Sequence, residues 1–285
     1  MKNLIFLGTF LASAAALAVP TTPQPLNFQT GDLPILSGAA TIHTGNTLRY
    51  LDAAGAKRVI VDLWGNPPQA AEDVLGLILP VGGELEDDAS WGVVVTEARD
   101  GHVSDSDAAK TDYAGLMRDM QQGTREHNKA RVAAGFGEVE LIGWADTPRY
   151  DAVTHKMYWA KELAFKENAS DTEATGHTLN YAVRVLGRDN VLELNAVAGM
   201  TELPQVQRGM QGILQQVSFN PGHRYEDFDA STDKLAQYGV AALVGGVVAK
   251  KLGFLAVALV FLKKGWILVV GVLGVLSRRL KRGAQ

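Results

Sequence analysis

The sequence has no cysteine. That excludes disulfide scaffolds, thiolate zinc sites, iron–sulfur clusters and cysteine nucleophiles together. It also has no Walker loop, no dinucleotide fingerprint, no His-Glu-x-x-His and no Gly-x-Ser-x-Gly, so the common signatures of nucleotide, metalloprotease and serine-hydrolase chemistry are missing. The six histidines (His43, His102, His127, His155, His177 and His223) are scattered, with no pair at ligand spacing, and read as surface or structural residues. No metal and no cofactor is expected. Acid is missing from the last fifty residues. All 31 Asp and Glu fall within residues 19–235, beside 18 Lys and Arg, a balance of −13; residues 236–285 carry eight Lys or Arg, and Lys2 brings the total to −4. A domain at −13 repels phosphate, so nucleic acid is not expected as a partner.

What is present falls into three parts. The 285 residues are 47% apolar and 20% charged, which is the composition of a folded chain of one large or two small domains. Lys2, an apolar stretch from Leu4 to Leu17 and Ala16-Leu17-Ala18 make a secretory signal peptide over residues 1–18, too short to span a bilayer comfortably. An uncleaved anchor or a buried N-terminal helix is the rival reading. A Pro-rich extended leader, 19–40, follows.

The other end is apolar from 236 to 277 and is interrupted by Lys250-Lys251 and Lys263-Lys264. None of the pieces between them is long enough to cross a hydrocarbon core, so a span must carry one Lys pair. Residues 252–276 hold 16 Leu, Ile, Phe or Val, worth about −5 to −10 kcal/mol against about +5 to +7 for two central lysines. Residues 236–262 hold 13, worth about −4 to −8 kcal/mol against the same cost. The best single span is therefore 252–276, with 236–249 as a half-helix or packing helix; a two-span hairpin is the alternative. Arg278 and Arg279 open a basic tail, 278–285, that reads as the cytoplasmic side. The expected address is the bacterial inner membrane, with the main domain facing the periplasm or exterior and the lipid bilayer as its partner.

Residues 41–235 predict an α+β domain, an antiparallel sheet of successive hairpins packed with helices, followed by C-terminal apolar membrane helices. Leu179, Tyr181, Val183 and Val185 alternate with Asn180, Ala182, Arg184 and Leu186 as in a half-buried strand, and Gly187–Asn190 turns into a second strand, Val191–Ala198. Strands are also expected at Glu138–Trp144 and Thr154–Phe165, joined by a turn at Asp146-Thr147-Pro148, and at Leu75–Pro80 and Trp91–Thr96. Helices are expected from Asn46 (Leu48, Leu51), from Asp105 or Ser106 (Tyr113, Leu116, Met117, Met120), and after a Thr201 cap (Leu203, Val206, Met210, Ile213, Leu214, Val217).

The domain offers few chemical candidates. Asp105, Asp107 and Asp112 read as helix-start carboxylates, because Ala108 and Ala109 stand where calcium ligands would have to be. Ser231 and Lys234 have the Ser-x-x-Lys spacing of some acyl enzymes, but without companion motifs they read as a helix cap. Glu138 and Glu140 share a strand face without making an acid/base dyad. No catalytic residue is assigned.

Several phrases together carry a resemblance. Tyr181-Ala-Val-Arg-Val-Leu-Gly-Arg188, Val191-Leu-Glu-Leu-Asn-Ala-Val197, Asp62-Leu-Trp-Gly-Asn-Pro-Pro68, Ser90-Trp-Gly-Val93, Gly143-Trp-Ala145, Phe219-Asn-Pro-Gly-His-Arg-Tyr-Glu-Asp-Phe228 and Tyr238-Gly239 resemble the bacterial membrane-anchored proteins catalogued as domain of unknown function 2167, over about residues 40–265. The resemblance implies an exported α+β domain with C-terminal anchoring, and no activity. Within these phrases Arg188, Asn195, Arg224, Tyr225 and Asp227 are the candidate binding residues, since arginines can hold a carboxylate or phosphate. The competing role is structural: Arg188 on turn carbonyls, Arg224 on Asp227 or Asp229. The function these readings support is a non-enzymatic binding or structural module of the cell envelope, with an envelope protein as a candidate partner. The alternatives are an envelope hydrolase using Ser231 and Lys234 or an acid pair, and a membrane subunit of a larger complex or pore built on Lys250, Lys251, Lys263 and Lys264.

Overall fold

The computed structural model describes residues 25–64, 68–82, 85, 91–133, 137–166, 170–171, 173–174 and 176–245. In chain order its strands are β1 (Asp32–Ile35), β2 (Ala40–His43), β3 (Leu48–Asp52), β4 (Gly76–Pro80), β5 (Gly92–Ala98), β6 (His102–Ser104), β7 (Val139–Asp151), β8 (Lys156–Phe165), β9 (Gly176–Leu186), β10 (Val191–Gly199), β11 (Val217–Phe219) and β12 (Leu235–Gly239). The α-helices are α1 (Ala53–Lys57), α2 (Tyr113–Ala133), α3 (Leu203–Gln215) and α4 (Val240–Gly245). The fold is α+β with antiparallel hairpins. A seven-stranded sheet in the order β3-β4-β5-β10-β9-β8-β7 has antiparallel neighbours throughout.

The sheet has two unlike faces. On the first, Val93, Val95, Tyr181, Val183, Leu192 and Leu194 are buried beneath α3 and beneath the small β1-β2-β11 sheet. Val206, Met210, Ile213 and Leu214 recur at helical spacing and supply the α3 stripe. The second face has three separate apolar patches: α1 on β3 and β4, α2 on β7 and β8, and β6, β12 and α4 over one end of β8, β9 and β10. Between these patches the face is polar. Strand β9 is therefore not half-buried. Asn180, Arg184 and Leu186 are as covered as the apolar row opposite them.

Several local expectations are corrected. Leu48 and Leu51 lie on a strand, not a helix: Leu48 and Tyr50 face one cluster and Leu51 the other, so a strand covered on both sides reproduces a three-residue apolar spacing. The helix starts at Ala53, where Asp52 Oδ1 accepts from Gly55 N at 2.9 Å. Helix α2 starts at Tyr113, not near Asp105, because Asp112 caps it through Gly115 N at 2.9 Å. Thr201 caps nothing. It lies in a 3₁₀ turn and its hydroxyl donates to Glu202, while Val217 leaves the helix for β11.

Strand β7 runs straight through Asp146-Thr147-Pro148 with shifts of register. An edge strand tolerates a proline at such irregularities because no neighbour needs its N–H. The turn comes later, where Asp151 accepts from Val153 N at 2.9 Å and Thr154 Oγ1 at 2.7 Å. The segment after Lys234 begins as strand β12 and only then becomes the short α4, so 236–249 does not open as a helix.

Among the described residues no helix is long and apolar enough to cross a membrane. The signal peptide, most of the acidic loop expected at Glu84–Asp88, the span 252–276 and the basic tail lie outside the described residues.

Close packing of α3 generates one prediction. A Cβ on Gly209 would overlap the indole of Trp91, which is buried. Gly209→Ala should cost about 1–3 kcal/mol through overpacking, read as a lower urea midpoint followed by tryptophan fluorescence. An unchanged midpoint would mean that Trp91 does not lie on Gly209.

Candidate functional site

Most of the predicted site residues meet at one end of the sheet. The β9–β10 turn is closed by Gly187 N donating to Asn190 O at 2.8 Å, and Gly187 bridges to Arg224. Gly187 is required there, because a Cβ would stand 2.7 Å from the Phe219 ring. The bridge brings in the segment 220–234. Arg188 N donates to His223 O at 2.9 Å. The Arg188 guanidinium grips Asp233 in two places, Nε to Oδ2 at 2.7 Å and Nη2 to Oδ1 at 2.9 Å, and Nη1 reaches Gly222 O at 3.3 Å. This fork geometry is the strongest form of an arginine–carboxylate pair. Arg188 and the Asp229 N–H hold the Asp233 carboxyl well below the usual carboxylate range.

Aromatic rings fill the space beneath this clamp. The His102 ring lies 4.0 Å from Phe228 and 4.3 Å from Tyr225, and Tyr225 lies 4.1 Å from His155. Tyr225 donates to Val103 O at 3.1 Å, and burial pushes its hydroxyl up to about 12. Burial likewise lowers His102, although its Nδ1 sits 3.0 Å from Arg188 O. His155 has a left-handed φ of 50°, costly for a residue with a side chain. Its Nδ1 is 3.1 Å from the Tyr150 hydroxyl, which donates to Asp105 at 3.0 Å. Among the described residues, no serine or threonine hydroxyl bonds to His102 or His155. The cluster has proton-bearing groups and no nucleophile beside them.

The remaining candidate residues separate. Arg224 does not pair through its side chain with Asp227 or Asp229. Its guanidinium is 4.0 Å from Glu226, an exposed contact, and its backbone N–H donates to Asp227 at 2.9 Å. Arg188 mainly binds Asp233 rather than turn carbonyls. Ser231 does not cap a helix; it donates to Asp229 at 2.7 Å in a turn. Lys234 is exposed, so it is not the desolvated amine that would take the Ser231 proton. Glu138 is paired with Lys166 at 2.8 Å. Among the described residues no group of three His, Asp or Glu side chains could hold a metal. Lys250, Lys251, Lys263, Lys264, Arg278 and Arg279 lie outside the described residues.

Asn195 belongs to a different place, the polar part of the second face. There Arg184 Nη1 donates to Asn195 Oδ1 at 3.1 Å, and Arg184 Nε lies 3.1 Å from Glu193 Oε1. Glu193 Oε2 accepts from Thr96 at 2.9 Å, and the Arg184 guanidinium lies 5.0 Å from the Trp159 ring centre. Sequence reasoning missed Arg184 and Glu193. The signal was there: charged residues at alternate positions of an otherwise apolar hairpin, read as facing solvent.

The family described as "Protein of unknown function (DUF2167)" matches residues 27–274. The chain belongs to that family. The match is wider than the quoted phrases and takes in β1 and β2. No curated protein matches the chain. Among solved structures it is similar to a cyanobacterial PsbP from Synechocystis sp. PCC 6803, with 12% identity, 74% of this chain, 99% of that one and a TM-score of 0.35. It is also similar to the Ran-binding protein Mog1p of Saccharomyces cerevisiae, with 12% identity, 72% of this chain, 100% of that one and a TM-score of 0.31.

Two predictions follow from the ion pairs. In Asp233→Asn the clamp opens, so the His102 amide, bonded to Lys234 O at 2.8 Å, should exchange with solvent faster while amides of β9 stay protected. Acid should mimic this. A depressed carboxyl contributes above the usual carboxylate range, and the contribution is lost as pH falls below about 4. Unchanged His102 exchange would contradict the clamp. Glu193→Gln strands the Arg184 charge, whose side chain is 6% exposed, and should cost about 3–5 kcal/mol in urea unfolding.

Proposed function

We propose that this chain is a membrane-anchored module on the outer face of a bacterial inner membrane, and that it binds or scaffolds rather than catalyses. The observation that carries the reading is the division of charge along the chain. Every acid lies before residue 236, and the apolar remainder carries bases alone. That is the pattern of a domain exported away from a basic, cytoplasm-facing end. The domain's −13 also keeps it from lying flat on anionic lipid.

The sheet-end cluster suits such a tether. Residues 220–239 leave the domain through the Arg188–Asp233 pair, the His102 stack and the parallel β6–β12 pairing. A chain secured at its exit transmits the orientation of an anchor to the sheet. Support for a non-catalytic role is the chemistry of the same cluster, in which Arg188, Asp233, Tyr150 and Tyr225 are already bonded to other protein groups.

Protease added to spheroplasts tests the address. The domain should be digested from outside while a C-terminal epitope stays protected and membrane-bound through alkaline carbonate washing. A protected domain, or full-length protein in the soluble fraction with its leader intact, would overturn the proposal.

A further inference from the structure

The polar part of the second face is built from three rows of side chains across β5, β10, β9 and β8. Strand register gives them as Thr96–Glu193–Arg184–Met157, Val94–Asn195–Ala182–Trp159 and Gly92–Val197–Asn180–Lys161. Residues opposite each other in such rows have Cβ atoms about 4.5–5.5 Å apart. Ala182 and Trp159, in the middle row, are buried in the apolar cluster beneath β12 and α4, and the polar side chains lie at its border.

The first row is matched in charge. Arg184 is matched by Glu193, and Glu193 by Thr96. The third row is open. Among the described residues, neither the Lys161 ammonium nor the Asn180 amide has a hydrogen-bond or ion-pair partner, although Asn180 is only 9% exposed. Asn195 accepts from Arg184 through its oxygen, which leaves its amide N–H groups unpartnered. None of these donor atoms is wholly cut off from solvent, and Lys161 is part-exposed, so they stay open to a ligand arriving from outside. Two cations against one carboxylate leave this patch at +1 inside a domain at −13. Burial and the neighbouring Arg184 charge push the Lys161 ammonium down to about 8, as expected where no counter-charge is present.

We propose that Lys161, Asn180 and Asn195 form a binding site for a small oxyanion, a carboxylate or a phosphoryl group. The ammonium supplies the charge. The two amides supply N–H donors, one two positions along β9 from Ala182 and one directly across from it on β10, and Arg184 Nη1 holds the Asn195 oxygen so that its N–H groups stay free. Trp159 walls the site on the β8 side and holds the Arg184 plane. The surrounding acidity makes long-range steering of an anion unfavourable, so recognition is by short-range contact. The inference rests on reading the domain as a binding module but not on where the domain resides.

The test uses the full-length protein in mild detergent, titrated with inorganic phosphate and with acetate, and with sodium chloride at matched ionic strength. Melting temperature and calorimetric affinity are read together. Phosphate or acetate should raise the melting temperature where chloride does not, and whichever acts identifies the anion's class. Lys161→Met should weaken the binding by roughly tenfold or more, and Asn180→Leu by several-fold. Without anion, Lys161→Met should melt at or above the wild type, because it removes an unmatched charge. An equal response to chloride, undiminished affinity in Lys161→Met, or a lower melting point of that variant without anion would each overturn the site. Spheroplast digestion reads only the address and this titration only the ligand, so the two proposals fail separately.

Discussion

The β9–β10 hairpin occupies the middle of the seven-stranded sheet, with β5 on one side and β8 on the other, and both of its faces are covered. That double burial governs the choice of side chains. On the first face it is met with Leu179, Tyr181, Val183, Leu192 and Leu194, which require only dense packing. On the second it is met with Arg184 and Glu193, whose charges are costly to remove from water unless each finds the other. Register supplies that match: Arg184 and Glu193 are directly opposed, with Thr96 opposite Glu193 on β5. A slip of one residue would turn both charges into the α3 core. The ion pair therefore specifies which way the hairpin faces, while the apolar row provides most of the stabilisation.

The same hairpin governs the exit of the chain. Its turn projects Arg188, and Arg188 secures Asp233 just before β12. The β6–β12 pairing is short and irregular, too small to hold a strand in place unaided. The supports are side chains: Tyr238 donates to Asp100 at 2.8 Å, Tyr225 to Val103 O, and the His102 ring lies against Phe228. A pair as open as Arg188–Asp233, with side chains 32% and 12% exposed, adds less stability than a buried one but fixes direction through its two-point grip.

Much of this was legible in the residues. The β9–β10 hairpin announces itself through alternation and the Gly187–Asn190 turn, and α3 through its four-residue stripe. Leu48 and Leu51 suggest a helix because a spacing of three fits a helix face and also a strand buried on both sides, and only the partner β4 decides between them. Asp146-Thr147-Pro148 has turn composition, but an edge strand accepts proline where an inner one cannot. Arg188 and Tyr225 stood out as binding residues, whereas their partners, Asp233, Val103 and His102, lie 45 to 122 positions away or on another element and leave no local trace. Lys161, Asn180 and Arg184 were hidden by the alternation that revealed their strands. A polar residue at every second position implies solvent, and the covering elements that reverse this implication come from distant parts of the chain.

The two ionic systems on β9 differ in a way that bears on what each can do. At the turn, Arg188 and Asp233 are matched one to one, and the hydroxyls and rings around them are committed. A ligand arriving there would have to break a bidentate pair before making anything new. In the interior of the sheet, Arg184 is matched but Lys161 is not, and two amides stand beside it with donors to spare. An anion arriving there would relieve an existing electrostatic cost rather than impose one. Binding energy is gained most readily where the unliganded protein already carries unsatisfied groups held in place. On that ground the face of β8, β9 and β10 suits the proposed anion better than the turn does, and Arg188 at the turn holds the segment 220–234 against the sheet.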